Sequence, residues 1–211
     1  MISGQPFSRG SVFIQYRRGM VSDDLIIGGC IDGKRKAFNM LYRKYSSALL
    51  GVCMRYAHDK ADAEDILQEG FIKIFTRIRD YRAEGSFEGW MKRIMINTAI
   101  DHYQQHLKNY FLRNVEDLAE EDRFPEEDDE DRDLRPGADI PRETLMSFIQ
   151  ELPEGYRMVF NLFAMEGFGH KEIAERLDIS ENTSKTQLMK ARRSLRKKLE
   201  GWMKQTYILK R

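Results

Sequence analysis

The sequence predicts an all-α fold: two small helical domains joined by an acidic flexible linker, the C-terminal one a helix-turn-helix. Three observations predict it. Apolar residues recur at steps of three and four in the N-terminal half and again near the C-terminus. An acidic segment broken by Pro and Gly separates those stretches. Beyond it, a short amphipathic helix, a tight connection and a basic helix follow one another directly. Composition agrees: 41% hydrophobic and 33% charged residues, with 15 Gly and 5 Pro in 211, suit helical globular domains.

Residues 1–22 lack helical periodicity and are expected to form a disordered extension; Met20 offers an alternative translation start. Residues 23–112 form the first domain. Phe38, Leu41, Tyr42, Tyr45 and Leu49 make one apolar stripe, and Ile66, Leu67, Ile72 and Phe75 make a second between Asp62 and Arg79. Gly85-Ser86 breaks the chain, and Ser86 stands where an N-cap belongs, ahead of Phe87, Trp90, Ile94, Asn97 and Asp101. Residues 113–140 read as the linker. Between Glu116 and Asp139 there are 13 acids against 3 bases, and so little apolar surface cannot offset the entropy of ordering. The second domain spans 141–211, with helices expected at 142–151, 154–164, 170–177 and 181–202.

A net charge of +1 conceals this segregation. From Thr183 to Arg211 there are 10 bases and a single acid, Glu200. Such a module attracts the phosphates of nucleic acid. Within it, His170 to Leu177 turns Ile173, Ala174 and Leu177 inward, and small Ala174 lets a second helix cross closely. Ser180 caps that second helix, whose inner stripe is Ser184, Leu188, Ala191 and Leu195. Asn182, Lys185, Thr186, Met189, Lys190 and Arg193 point the other way, with Gln187 at the edge. Short polar and long basic side chains on such a face reach base edges and phosphates.

These residues carry a family resemblance. Leu152-Pro153-Glu154-Gly155-Tyr156-Arg157, Glu166 to Ala174, Leu177 to Lys185 and Lys190-Ala191-Arg192-Arg193-Ser194-Leu195 together resemble the C-terminal domain of RNA polymerase sigma factors of the extracytoplasmic-function group. The resemblance implies −35 promoter contacts by Asn182, Lys185, Thr186, Gln187, Lys190 and Arg193, and packing on the flap of the polymerase beta subunit. Asp62 to Lys73 is similar to the family's polymerase-binding helix, which implies that Asp65, Gln68 and Glu69 dock on the coiled coil of the beta-prime subunit. Phe87 to Tyr103 is similar to the −10 recognition and melting segment, which implies roles for Phe87, Arg93 and Asn97 around a flipped-out base. An amide to bond a base edge and a ring to stack on its face suit that task; Trp90 is assigned to core. The family usually carries more arginine after Asp101 than the His102-Tyr103-Gln104-Gln105-His106-Leu107-Lys108 found here. The resemblance also implies core RNA polymerase, promoter DNA and an anti-sigma factor as partners, and a linker threading the channel later used by nascent RNA.

Other classes fit less well. No apolar run approaches the ~20 residues that cross a bilayer, and Phe7 to Met20 is polar and basic, so membrane insertion and secretion are not expected. Cys30 and Cys53 read as buried apolar groups in a reducing cytoplasm. His102 and His106 have a metal-binding spacing, yet no third ligand stands out. There is no phosphate-cradling Gly-rich loop and no recognisable nucleophile–histidine signature, so neither enzymatic activity nor a cofactor is expected. A plain repressor would share the helix-turn-helix but would leave the acidic helix and the aromatic segment unexplained.

Overall fold

The computed structural model describes residues 22–113 and 140–209. The N-terminal extension and most of the acidic linker read from the sequence lie outside the described residues. Eight α-helices carry the described fold, and there is no strand among the described residues. In the N-terminal unit these are α1 (Asp23–Ile31), α2 (Arg35–Tyr56), α3 (Lys60–Arg77) and α4 (Phe87–Arg113), with a 3-10 turn at Ile78–Asp80. In the C-terminal unit they are α5 (Arg142–Gln150), α6 (Glu154–Ala164), α7 (His170–Leu177) and α8 (Glu181–Leu209).

Local chemistry sets the helix starts. Asp59 caps α3 by accepting from the Asp62 N–H at 2.9 Å, while Asp62 accepts from the His58 N–H at 2.8 Å. Two orphan donors are thus satisfied reciprocally. Ser86 caps α4 as expected, its hydroxyl accepting from the Gly89 N–H at 3.0 Å. Helices α2, α3 and α4 then close around Leu41, Leu49, Cys53, Ile66, Ile74, Met91 and Met95. Tyr45, Tyr81, Phe87 and Trp90 form an aromatic cluster at one end, where Phe87 and Trp90 stack with centroids 5.7 Å apart.

Two residues of the expected stripes are turned outward. Tyr42 is exposed, although its ring rests on Phe71. Ile72 is 63% exposed. At about 100° per residue, the buried positions Ala63, Ile66, Leu67, Gly70, Phe71 and Ile74 share one arc, and Ile72 lies across from it.

The two units are packed together, and one apolar cluster runs from Leu41 and Phe71 through Tyr103 to Met158, Leu162 and Leu188. The polar seam is built on the C-terminal end of α2. The last carbonyls of a helix have no partner within it. Here the C-terminal unit supplies them: Gln150 donates to Met54 O at 3.1 Å, Asn161 to Arg55 O at 2.6 Å and Arg157 to Tyr56 O at 3.0 Å. Arg157 is 1% exposed and also donates to the Gln150 and Leu152 carbonyls. Burial pulls its pKa below the ordinary guanidinium value. Glu166 accepts from Arg55 and from the Tyr56 hydroxyl, both at 3.2 Å.

Close packing of α3 on α4 depends on a missing side chain. A Cβ on Gly70 would stand 2.2 Å from the sulfur of Met95, which is fully buried. Gly70→Ala is expected to destabilise the protein by about 1–3 kcal/mol in urea denaturation, because Met95 has no free volume to enter. Met95→Ala in the same chain should recover part of that loss.

Candidate nucleic-acid interface and docking face

The helix-turn-helix is α7, the turn and the start of α8. The Gly169 N–H donates to Glu172 at 3.0 Å, which fixes the start of α7. Asp178 ends it in the left-handed conformation at φ 57°, which a short polar side chain tolerates better than most. The Ser180 hydroxyl then accepts from the Thr183 N–H at 2.9 Å and caps α8. Ser184, Leu188, Ala191 and Leu195 are buried as the pattern predicts, and Ser184 Oγ lies 3.0 Å from His170 Nδ1.

The outer face of α8 presents the expected groups. Asn182, Lys185 and Arg193 are exposed, Thr186 and Lys190 half-buried. Met189 stands among them at 39% exposure. Lys185 pairs with Glu181 at 2.8 Å, and this bond holds the Glu181 carboxyl below the usual range. Lys190 reaches over the Tyr156 ring. Gln187 departs from the expectation. Its side chain turns toward the N-terminal unit: a Cβ on Gly155 would lie 3.1 Å from Gln187 Nε2 and 3.2 Å from the Tyr103 hydroxyl. Gln187 Oε1 is buried without a partner, so in this arrangement it is not on the DNA-facing surface. Closure of the two units is the physical cause.

On α3, Asp65 and Gln68 are exposed, and Ile72 lies on the same side of the helix, so the face is acidic with an apolar centre. Glu69 is half-buried and already engaged, by Lys73 at 2.7 Å and His102 at 2.6 Å. The Lys73 bond, aided by His102 and opposed by burial, lowers the Glu69 pKa. Burial works against the Lys73 ammonium, but its bonds to Asp101 and Glu69 outweigh that and raise its pKa. His106 faces Glu154 instead, at 3.5 Å, so the two histidines diverge. Among the described residues no cluster of three or more His, Cys, Asp or Glu side chains is placed to hold a metal.

On α4, Arg93 and Asn97 are exposed. Phe87, expected at a base pocket, is 4% exposed within the aromatic cluster, where it can support such a pocket only from beneath. Trp90 is half-buried in that cluster, in keeping with its assignment to core. Asn97 Oδ1 accepts a long 3.4 Å bond from Arg176 of α7, whose guanidinium also lies over Phe168. Gln104 donates to the Arg176 carbonyl at 2.9 Å and satisfies the end of α7.

A capped, basic reading helix on one unit and an acidic docking helix on the other define a two-part DNA-binding transcription factor. Sigma-70 region 2 matches residues 41–108, and Sigma-70 region 4 matches residues 142–195. The chain is 30% identical over 178 residues to the RNA polymerase sigma-H factor of Pseudomonas aeruginosa, covering 82% of this chain and 91% of that one. It is 29% identical over 195 residues to the ECF RNA polymerase sigma-E factor of Haemophilus influenzae, covering 87% and 98%. A solved structure of CnrH with the cytosolic domain of CnrY is similar at a TM-score of 0.41 and 19% identity, covering 85% of this chain and 97% of that one. The chain belongs to the extracytoplasmic-function group of RNA polymerase sigma factors, and acts with RNA polymerase as a promoter-specific transcription initiation factor. No described helix is long and apolar enough to cross a membrane.

Ser180 is the hinge of the reading helix. Ser180→Ala is expected to cost about 1 kcal/mol of stability, and Ser180→Asp to retain most of it, when thermal or chemical unfolding of the three chains is compared.

Proposed function

We propose that the outer face of α8 reads the −35 element and that α4 takes part in reading and melting the −10 element. The observation that carries this reading is the capped start of α8, which presents Asn182, Lys185, Met189 and Arg193 together on one exposed face. Lysine and arginine there neutralise phosphates, and Asn182 offers both donor and acceptor to a base edge. The exposed Met189 adds an apolar surface suited to a thymine methyl. On α4, Asn97 is the exposed amide suited to an unpaired base, with Arg93 one turn earlier for the backbone.

The acidic and apolar face of Asp65, Gln68 and Ile72 supports docking on a basic partner surface, which family membership identifies with the beta-prime coiled coil. The C-terminal unit would pack on the beta flap. Polymerase supplies the chemistry, and the factor contributes binding and positioning in the cytoplasm. An anti-sigma factor is the regulator that this membership implies.

Reconstitution with the cognate core polymerase tests the reading: the protein should start transcription at a −35/−10 promoter. Failure at every promoter upstream of the genes it induces in cells would sink it. Lys185→Ala should either flatten the salt dependence of promoter binding by about one unit, as a phosphate contact would, or relax one base position by about 1–3 kcal/mol. An unchanged footprint and salt slope would remove Lys185 from the interface.

Asn97→Ala should leave core binding intact while lowering permanganate reactivity across the −10 region. Normal opening together with lost core binding would instead place Asn97 at the polymerase.

A further inference from the structure

We infer that the free factor is held in a latched form unable to read a promoter, and that the latch is the seam between the end of α2 and α6. This rests on the reading that α4 and α8 address the −10 and −35 elements. Those elements are 25 base pairs apart by their positions, about 85 Å along duplex DNA. Here the two reading units touch. Arg176, on the first helix of the helix-turn-helix, bonds Asn97 at 3.4 Å. Gln187 of the reading helix converges with the Tyr103 hydroxyl at Gly155. Each reading element therefore has a side chain held by the opposite unit, and the pair cannot span a promoter until the seam parts.

The seam is built to part. Gln150, Arg157 and Asn161 give it direction by capping the α2 carbonyls, and Glu166 adds charge pairing to Arg55. Yet the seam leaves Arg55 Nε, Asn161 Oδ1 and Gln187 Oε1 buried without partners. Each of these atoms loses hydration on closing, and water would satisfy it again on opening. A helix end whose carbonyls are capped by side chains can likewise be capped by water.

The docking face is outside the latch. Asp65, Gln68 and Ile72 are exposed in the closed form. Polymerase can therefore engage the N-terminal unit first, and binding of the C-terminal unit elsewhere on the enzyme then holds the latch open. The order is docking before reading. Free factor is thereby kept from occupying promoter DNA unproductively.

Small-angle scattering of the full chain, without DNA or polymerase, tests the latch. Arg55→Glu places a carboxylate against Glu166, and Glu166→Arg places two cations together. Each single variant should show a larger radius of gyration than wild type at unchanged helical circular dichroism. The double variant Arg55→Glu/Glu166→Arg restores the pair in reverse and should return to the wild-type value. Glu166→Gln, which removes charge at nearly constant volume, should open partially even if a reversal unfolds the chain. The opened variants should also bind a single-stranded −10 oligonucleotide roughly threefold or more tightly, since the competent fraction rises. A wild-type chain already as extended as the variants overturns the latch, as do variants as compact as wild type or a double variant as open as the singles. A latch that behaves as expected in scattering, with no gain in −10 binding, would count against the assignment of α4 and leave the latch standing.

Discussion

The end of α2 is the constraint on which the arrangement depends. A helix of this length, Arg35 to Tyr56, delivers its final carbonyls to one point with no donors of its own. Left buried without partners, each would cost about 1–3 kcal/mol. Gln150, Arg157 and Asn161 meet that need from the other unit. Arg157 does so while closing the turn between α5 and α6, so the same guanidinium shapes the C-terminal unit and seats it. The position of α7 over α4, and of Gln187 beside Tyr103, follows from that seating.

Function is divided between faces of opposite character. The reading helix carries its bases outward and its small and apolar residues inward, so the DNA-facing surface costs the fold nothing in packing. The docking helix does the reverse with acids, around one exposed isoleucine. Exposed charges of opposite sign on different units avoid mutual neutralisation, which an intimate mixture would impose. Long-range attraction to phosphates thus remains available to α8 and falls with salt as exposed charge must.

Much of this was legible in the sequence, because helices announce themselves locally. The bounds of α6 and α7 match the periodicity, α5 stops one residue short, and Ser86 and Ser180 cap as their positions predict. The basic face of α8 was readable because each outward residue is polar. Ile72 misled because its neighbours are also apolar, and only the angle around α3 separates it from Phe71. The seam was harder to see. Arg157 and Asn161 sit four apart among Met158, Val159 and Leu162, which is the signal that polar groups have been placed inward with a task. Nothing in the sequence says that the acceptors are backbone carbonyls about a hundred residues away. The burial of Phe87 and Gln187 likewise depends on contacts made only after distant helices meet.

Cys53 lies at 0% exposure near the end of α2, and burial pushes its thiol up to about 12; Cys30 is buried and raised in the same direction. Only the thiolate attacks disulfides, peroxides or alkylating reagents, and at neutral pH the Cys53 thiolate is on the order of one molecule in a hundred thousand. In the intact core this sulfur is chemically silent. It becomes reactive when the surrounding helices separate, at a rate set by local opening. The alkylation rate of this thiol under native conditions is therefore an intrinsic clock for how often the N-terminal core comes apart.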